Sequence, residues 1–250
     1  MANEVELRVN PGLDPAAFAP AYARDKLVRI PDVFAPETAD AIEQLLARHL
    51  KWRLVFPEPT PGGRENVAIL SQEDIASMGR QAMAERMQAV MQRAQNNYGY
   101  LYQAYPMIQA YISGWDPGHP IHQVTEFLNS PEFLEFGRAV IGADTITKAD
   151  AQATLYARGN FLTRHTDEGH DLERRAAYTI GLTRKWEPDW GGLLTFFDDN
   201  LDISRAFVPR FNVLSIFDGR MMHSVSPVSP FAGTGRYQIT GWFRDDPVGG

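Results

Sequence analysis

The chain contains no cysteine, so no disulfide and no thiolate can take part in its fold or chemistry, and any metal must be held by nitrogen and oxygen donors. It also lacks an apolar run of the length needed to cross a bilayer. Positive charge is in short supply: 24 Lys and Arg stand against 31 Asp and Glu, and a formal net charge of -7 argues against a general affinity for nucleic-acid phosphates. Met1-Ala-Asn-Glu-Val-Glu6 has no charged-then-apolar leader pattern, which makes the cytoplasm the expected compartment. Nucleic acid and membrane are therefore not expected partners, and nothing in the composition speaks to oligomeric state.

What is present suffices for a large core. With 250 residues, 44% of them apolar, the chain reads as a single domain over residues 1–250, with strand and helix support in 1–145 and a β-rich catalytic unit in 146–246. Lys26 to Phe34 alternates like a strand, Pro36 to Leu50 has helical spacing, and Trp52 to Phe56 reads as another strand. Pro57 to Gly63 is expected to be a loop that no sheet absorbs. A long polar helix is expected from Ser71, its apolar side carrying Ile75, Met78, Met83, Met87, Val90 and Met91. Between Tyr98 and Tyr105 there are four tyrosines in eight residues, which suits either a lid over a substrate or packing across a sheet end. His49 reads as structural or exposed, and His119 and His122 have a proline between them that spoils a helical metal pair. Ser130 to Gly142 forms a helix closed by glycine, and a sheet begins near Thr145.

The chemistry gathers around Tyr156 to Asp167. In an extended strand His165 and Asp167 project to the same side, with Thr166 turned away. His223, after the apolar run Phe211 to Phe217 and the Asp218-Gly219 turn, supplies a third donor. Two neutral imidazoles and one carboxylate occupy one face of a metal and leave the others open, the arrangement of non-heme Fe(II) oxygenases. His170 is a rival ligand, read instead as solvated in an acidic segment. Thirteen residues after His223, Arg236 opens an alternating run that puts Arg236, Gln238, Thr240 and Trp242 on one face. A guanidinium on an otherwise apolar strand is costly to bury without an anion, and a carboxylate accepts its fork. Gln152, Thr154, Tyr156 and Arg158 likewise share a polar face, so the Tyr156 hydroxyl points toward the same space as His165 and can donate to a bound acid.

His165-Thr-Asp167, Gly191-Gly192-Leu-Leu-Thr-Phe-Phe197, His223 with Val225 and Pro227, and Arg236-Tyr-Gln-Ile-Thr-Gly-Trp242, in that order, resemble the Fe(II)- and 2-oxoglutarate-dependent dioxygenases of the prolyl-4-hydroxylase-like branch. The likeness spans about residues 148 to 245. It implies a mainly β protein with flanking helices (α+β), a double-stranded β-helix or jelly roll whose mouth brings ligands from separate strands together. It also implies His165, Asp167 and His223 as metal ligands for Fe(II), Arg236 on the far carboxylate of 2-oxoglutarate, O2 as oxidant and ascorbate as candidate reductant. Tyr156 and Trp242 would shape the pocket, and Leu194, just after the Gly-Gly pair, would lie near the cosubstrate. Two positions depart from the pattern: Leu162 stands where many relatives have a tyrosine, and Gly181 where some present a tyrosine to the cosubstrate. Thr179, on the same face as Gly181, is the replacement hydroxyl. Relatives that halogenate lack the ligand carboxylate, so Asp167 favours hydroxylation. The Trp-Phe ending and the N-terminal strand and helix are similar to bacterial proteins grouped with ribosomal-protein prolyl hydroxylases, which implies a prolyl residue of a protein or peptide as substrate. A free amino acid or small metabolite is the alternative, as is a jelly-roll module that binds without catalysing.

Overall fold

The period-2 alternation noted in the C-terminal half folds into a curled antiparallel sheet, and the residues on its two faces separate cleanly by polarity. The computed structural model describes residues 6–59, 65–96, 98–167 and 173–246. After a 3-10 turn at Pro15–Ala17 come α1 (Ala19–Asp25), β1 (Leu27–Pro31) and α2 (Pro36–Arg48). They are followed by β2 (Arg53–Pro59), β3 (Glu65–Leu70), α3 (Gln72–Met78), α4 (Arg80–Asn96) and β4 (Tyr100–Tyr105). Three helices, α5 (Met107–Ile112), α6 (Ile121–Leu128) and α7 (Pro131–Ile141), then lead into β5 (Lys148–Ala149), β6 (Gln152–Tyr156), β7 (Phe161–His165) and β8 (Arg174–Gly181). A second 3-10 turn at Pro188–Trp190 precedes β9 (Leu194–Phe197), β10 (Ile203–Phe207), β11 (Val213–Phe217), β12 (His223–Val225) and β13 (Arg236–Arg244).

The described strands form one 13-stranded sheet whose main path runs β1-β11-β8-β13-β6-β4-β7-β12-β9-β10. The path bends at β4. Gln103, Ala104 and Tyr105 pair with β6, whereas Tyr100 and Leu101 pair with β7, so this strand is the seam between a larger sheet and a smaller one. The result is the curled half-barrel of a jelly roll with helices on its outer side. Across the larger sheet Ile30, Leu214, Ile180, Ile239 and Ala153 are successive cross-strand partners in one row. That row is fully buried in the same cluster as Phe34 and Leu46 near α2, Ile121 and Leu128 of α6 and Phe133 of α7. Phe133 stacks on Phe243 with ring centres 5.5 Å apart. Full burial of each Ile, Leu or Phe contributes about 2 kcal/mol, so this layer anchors the sheet and leaves its other face free for polar side chains. No helix among the described residues is long and apolar enough to cross a membrane.

Three local expectations are corrected. β2 continues through Pro57 to Pro59, because past Val55 it pairs with β3 alone and the prolines remove no donor that a second neighbour needs. β3 itself had no separate signal in the sequence. The helix expected from Ser71 is two helices: Ser71 and Asp74 form a reciprocal cap on α3, and the chain breaks at Gly79, φ 81°, before α4. Of the methionines on that apolar side, Met87 packs under the β2–β3 hairpin and Met91 is 43% exposed. Within the tyrosine-rich segment Tyr100 to Tyr105 form the seam strand, a strand not expected from the sequence. His170 lies outside the described residues.

Candidate active site

Antiparallel pairing of β7 with β12 puts His165 directly opposite His223. Their rings lie 4.2 Å apart, centre to centre. Asp167 follows just past the end of β7, where its backbone N–H donates to the Gly219 carbonyl at 2.7 Å. The two carboxylate oxygens then face one imidazole each, at 3.6 Å from Nε2 of His165 and 3.9 Å from Nε2 of His223. Ligand atoms of the three side chains all fall within 4.8 Å of one another, the one such cluster among the described residues. Both rings also have a fixed tautomer. Nδ1 of His165 donates to the Thr163 carbonyl at 2.9 Å and Nδ1 of His223 to the Met221 carbonyl at 2.8 Å, so each Nε2 carries a lone pair toward Asp167. Burial, reinforced by the neighbouring His165, pushes the pKa of His223 down to about 4 despite the opposing pull of Asp167. Its ring is neutral at physiological pH, as a ligand must be. Two imidazoles and a carboxylate on one side, the only such group among the described residues, is the donor set that suits non-heme Fe(II).

Arg236 stands opposite Tyr156 across β13 and β6, its guanidinium carbon 5.4 Å from the tyrosine ring centre. The side chain is 4% exposed. Its Nη2 donates to Oε1 of Gln238 at 2.6 Å, but Nη1 is buried with no partner among the described residues. Burial lowers the pKa to about 10, which still leaves the group cationic at neutral pH. A buried cation with an unused N–H is incomplete as it stands, and a carboxylate is the group that completes it. Tyr156 is fully buried, which drives its phenol pKa upward and keeps the proton available for donation.

These residues line one cavity of about 450 Å³. His165, Asp167, His223, Arg236, Tyr156, Thr179, Leu194 and Trp242, each expected from the sequence, all border it, as does Leu162. Trp242 does more than shape the wall, since its Nε1 donates to Oδ2 of Asp167 at 3.0 Å. Arg158 is the exception in its group: β6 ends at Tyr156 and the Arg158 Nε donates to the Ala232 carbonyl at 2.7 Å. Gly181 has a steric reason, because a Cβ there would sit 2.2 Å from the Arg210 carbonyl oxygen. No side chain can occupy the site of the missing tyrosine. Trp186 is buried beside Tyr156, Val225, Val228 and Ala232, and Trp190 packs against the same group.

Tyr98, Tyr102 and Arg174 are lining residues that the sequence does not single out. Tyr102 reaches the cavity from the seam strand and Tyr98 from two residues before it, and the alternation Tyr98, Tyr100, Tyr102 is the signal for this. Their rings form a chain, with Tyr98 5.5 Å from His165, Tyr98 to Tyr100 5.5 Å, Tyr100 to Tyr102 5.6 Å and Tyr102 to Tyr156 5.3 Å. Arg174 also lines the cavity, with its guanidinium carbon 3.9 Å from the Trp242 ring centre. It opens β8 beside a segment that no local pattern ties to a site.

Comparison with known proteins agrees with this geometry. Residues 151–244 match the family model of the 2OG-Fe(II) oxygenase superfamily. A search of curated proteins finds no match. Among solved structures, a Pseudomonas putida prolyl-4-hydroxylase shares 20% identity at a TM-score of 0.54, over 94% of this chain and 100% of that one. A Burkholderia pseudomallei oxidoreductase of the 2OG-Fe(II) oxygenase family shares 14% at 0.58, over 97% and 96%. A Trichoplax adhaerens prolyl hydroxylase, solved with a peptide fragment of a hypoxia inducible factor oxygen degradation domain, shares 16% at 0.57, over 92% and 89%. At these identities the structural likeness is one of fold. Residues 151–244, which carry the His-Asp-His cluster and Arg236, are thus similar to a 2OG-Fe(II) oxygenase superfamily domain, and the fold around them is like that of the prolyl-4-hydroxylases.

Proposed function

We propose that this chain is an Fe(II)- and 2-oxoglutarate-dependent hydroxylase acting on a prolyl residue of a protein or peptide. The observation that carries the reading is the pairing, within one cavity, of the His165–Asp167–His223 cluster with a buried arginine whose Nη1 has no partner. A jelly-roll metal enzyme that uses no keto acid would have no need of that arginine. In this reading His165, Asp167 and His223 hold the metal through Nε2, a carboxylate oxygen and Nε2, and Arg236 takes the far carboxylate of the cosubstrate. Tyr156 donates its phenol proton toward the same acid. Thr179 offers a hydroxyl from the neighbouring strand, and Leu194 and Trp242 exclude water from the space between. Residues 146–246 supply the metal cluster and Arg236, while residues 1–145 brace the sheet and lend it β1 and β4, with Tyr98 and Tyr102 on the cavity wall.

When bound, Fe(II) with 2-oxoglutarate and O2 supplies oxidative decarboxylation to succinate and carbon dioxide, coupled to oxygen insertion into a C–H bond. The protein's part is placement. Tautomers locked by the Thr163 and Met221 carbonyls keep both imidazoles aimed inward without reorganisation. Support for a prolyl substrate comes from the fold neighbours and from the flat tyrosine faces of Tyr98 and Tyr102 along the cavity wall, against which a pyrrolidine ring packs well. The test is succinate release, with wild type and His165→Ala, against proline-containing peptides, free amino acids and cell extract, with mass spectrometry reading an added oxygen atom. Peptide-dependent succinate and an oxygen on proline are expected from wild type alone. Turnover with amino acids only would move the substrate to a small molecule, and none with any of them would mark a binding module.

A further inference from the structure

A second, smaller space of about 20 Å³ shares Arg236, Gln238, Thr179 and Leu194 with the main cavity and is also bordered by Arg210 and, from the strands beyond, by Arg29 and Ser215. The register explains how an arginine so far away in the chain reaches this point. Arg29 pairs with Ser215, Ser215 with Thr179 and Thr179 with Thr240, so the four lie in one row across the larger sheet. Side chains in such a row share a face, and Thr179 and Thr240 border the main cavity. Arg29 therefore enters the same interior from the opposite edge of the sheet. Its guanidinium carbon lies 4.7 Å from the Phe207 ring centre, between the two sheets.

Arg29 is half-buried, but like Arg236 it has a nitrogen left over. Its buried Nε has no partner among the described residues, and its Nη2 makes a long contact of 3.4 Å to the Val208 carbonyl. Neither arginine is paired with a carboxylate among the described residues. Arg29 and Arg236 face one small space that Arg210 also borders, and the like charges repel: Arg210 acts on Arg29, and Arg29 is close enough for its charge to lower the pKa of Arg236 further. A single carboxylate has lone pairs enough to accept from both. Ser215 and Thr179 add hydroxyls on the same row, in a region where the Arg210 carbonyl leaves no room for a side chain at Gly181.

We propose that Arg29 is a second cationic contact for the far carboxylate of the 2-oxo acid, so that the closed end of the cavity selects a dicarboxylic over a monocarboxylic 2-oxo acid. This rests on the reading of the cavity as a 2-oxo acid site, and the test separates the two. Anaerobic Fe(II)-loaded wild type, Arg29→Gln and Arg29→Lys are titrated calorimetrically with 2-oxoglutarate and with 2-oxopentanoate, which has the same chain length but no far carboxylate. Arg29→Gln should bind 2-oxoglutarate at least tenfold more weakly and 2-oxopentanoate within twofold of wild type, whereas Arg29→Lys should keep most of the 2-oxoglutarate affinity. The control acid also reports whether the variant is folded. Unchanged 2-oxoglutarate affinity in Arg29→Gln, or an equal loss for both acids, overturns the assignment to Arg29 alone. Failure of the wild type to bind either acid overturns the 2-oxo acid site itself.

Discussion

The indole of Trp242 donates its Nε1–H to Oδ2 of Asp167 at 3.0 Å, joining residues 75 apart in the chain. The hydrogen bond holds one carboxylate oxygen and leaves Oδ1, the atom nearer His165, to serve as a ligand. Trp242→Phe keeps most of the ring and removes the donor. Loss of such an outer hydrogen bond typically costs tenfold to a hundredfold in metal affinity. We expect about a tenfold weaker Fe(II) affinity by anaerobic titration, with little change in the KM for 2-oxoglutarate. A variant with wild-type metal affinity would reduce Trp242 to a wall of the cavity.

Arg236 links stability and function in opposite directions. Its buried, unpaired Nη1 costs the ligand-free fold free energy, since a desolvated charge is compensated only when its acid arrives. Arg236→Met should therefore leave the ligand-free protein at least as stable as wild type, by about 1 kcal/mol or more, while weakening 2-oxoglutarate by two orders of magnitude or more. Urea unfolding and ligand titration read the two effects separately. A large loss of stability in this variant would show that the guanidinium has a structural partner and is not waiting for an anion.

The contrast between what the sequence told and what it hid has a physical pattern. His165, Asp167 and the alternating face from Arg236 to Trp242 were legible because a strand's period of two assigns faces without knowledge of its neighbours. Thr179 and Leu194 were legible through the resemblance, which supplies order along the chain. Arg29 was not, because its arrival depends on β1 adding to β11 at the far edge of the sheet, a pairing across nearly 190 residues that no local pattern encodes. The seam strand was misread for a related reason. Tyr98 to Tyr105 has Gly99 inside it and Pro106 after it, signals that favour a loop, yet β6, β7 and β2 all pair with it and tertiary pairing outweighs local preference. Pro57 and Pro59 argue against a strand when read locally, because nothing local shows that β2 lacks a second neighbour there.

Tyr98 is the most exposed member of the tyrosine chain, at 39%, and its ring lies 5.5 Å from His165. Its ring is therefore open to contact with a substrate bound at the cluster. An aromatic contact of this kind contributes about 0.5–1.5 kcal/mol, so Tyr98→Ala should raise the KM for a peptide substrate roughly threefold to tenfold and leave 2-oxoglutarate binding unchanged. Steady-state kinetics with each substrate varied in turn make the distinction. Equal changes for both would place Tyr98 in support of the metal site.

The depressed pKa of His223 makes the metal-free fold sensitive to acid. In the unfolded chain this ring titrates near 6.5, but burial and His165 bring it down to about 4 in the folded protein. Between those values the unfolded state binds a proton that the folded state refuses, so stability falls as pH drops from about 6.5 toward 4, with a limiting slope of about 1.4 kcal/mol per pH unit. Above 6.5 this group adds no pH dependence. His223→Asn should flatten that part of the urea-midpoint profile, because the replacement does not titrate. Saturating metal should also deepen the acid sensitivity of wild type, since the metal competes with the proton for Nε2 and stabilises only the deprotonated site. A metal-free profile equally steep in wild type and His223→Asn would assign the acid sensitivity to other groups and remove His223 as its source.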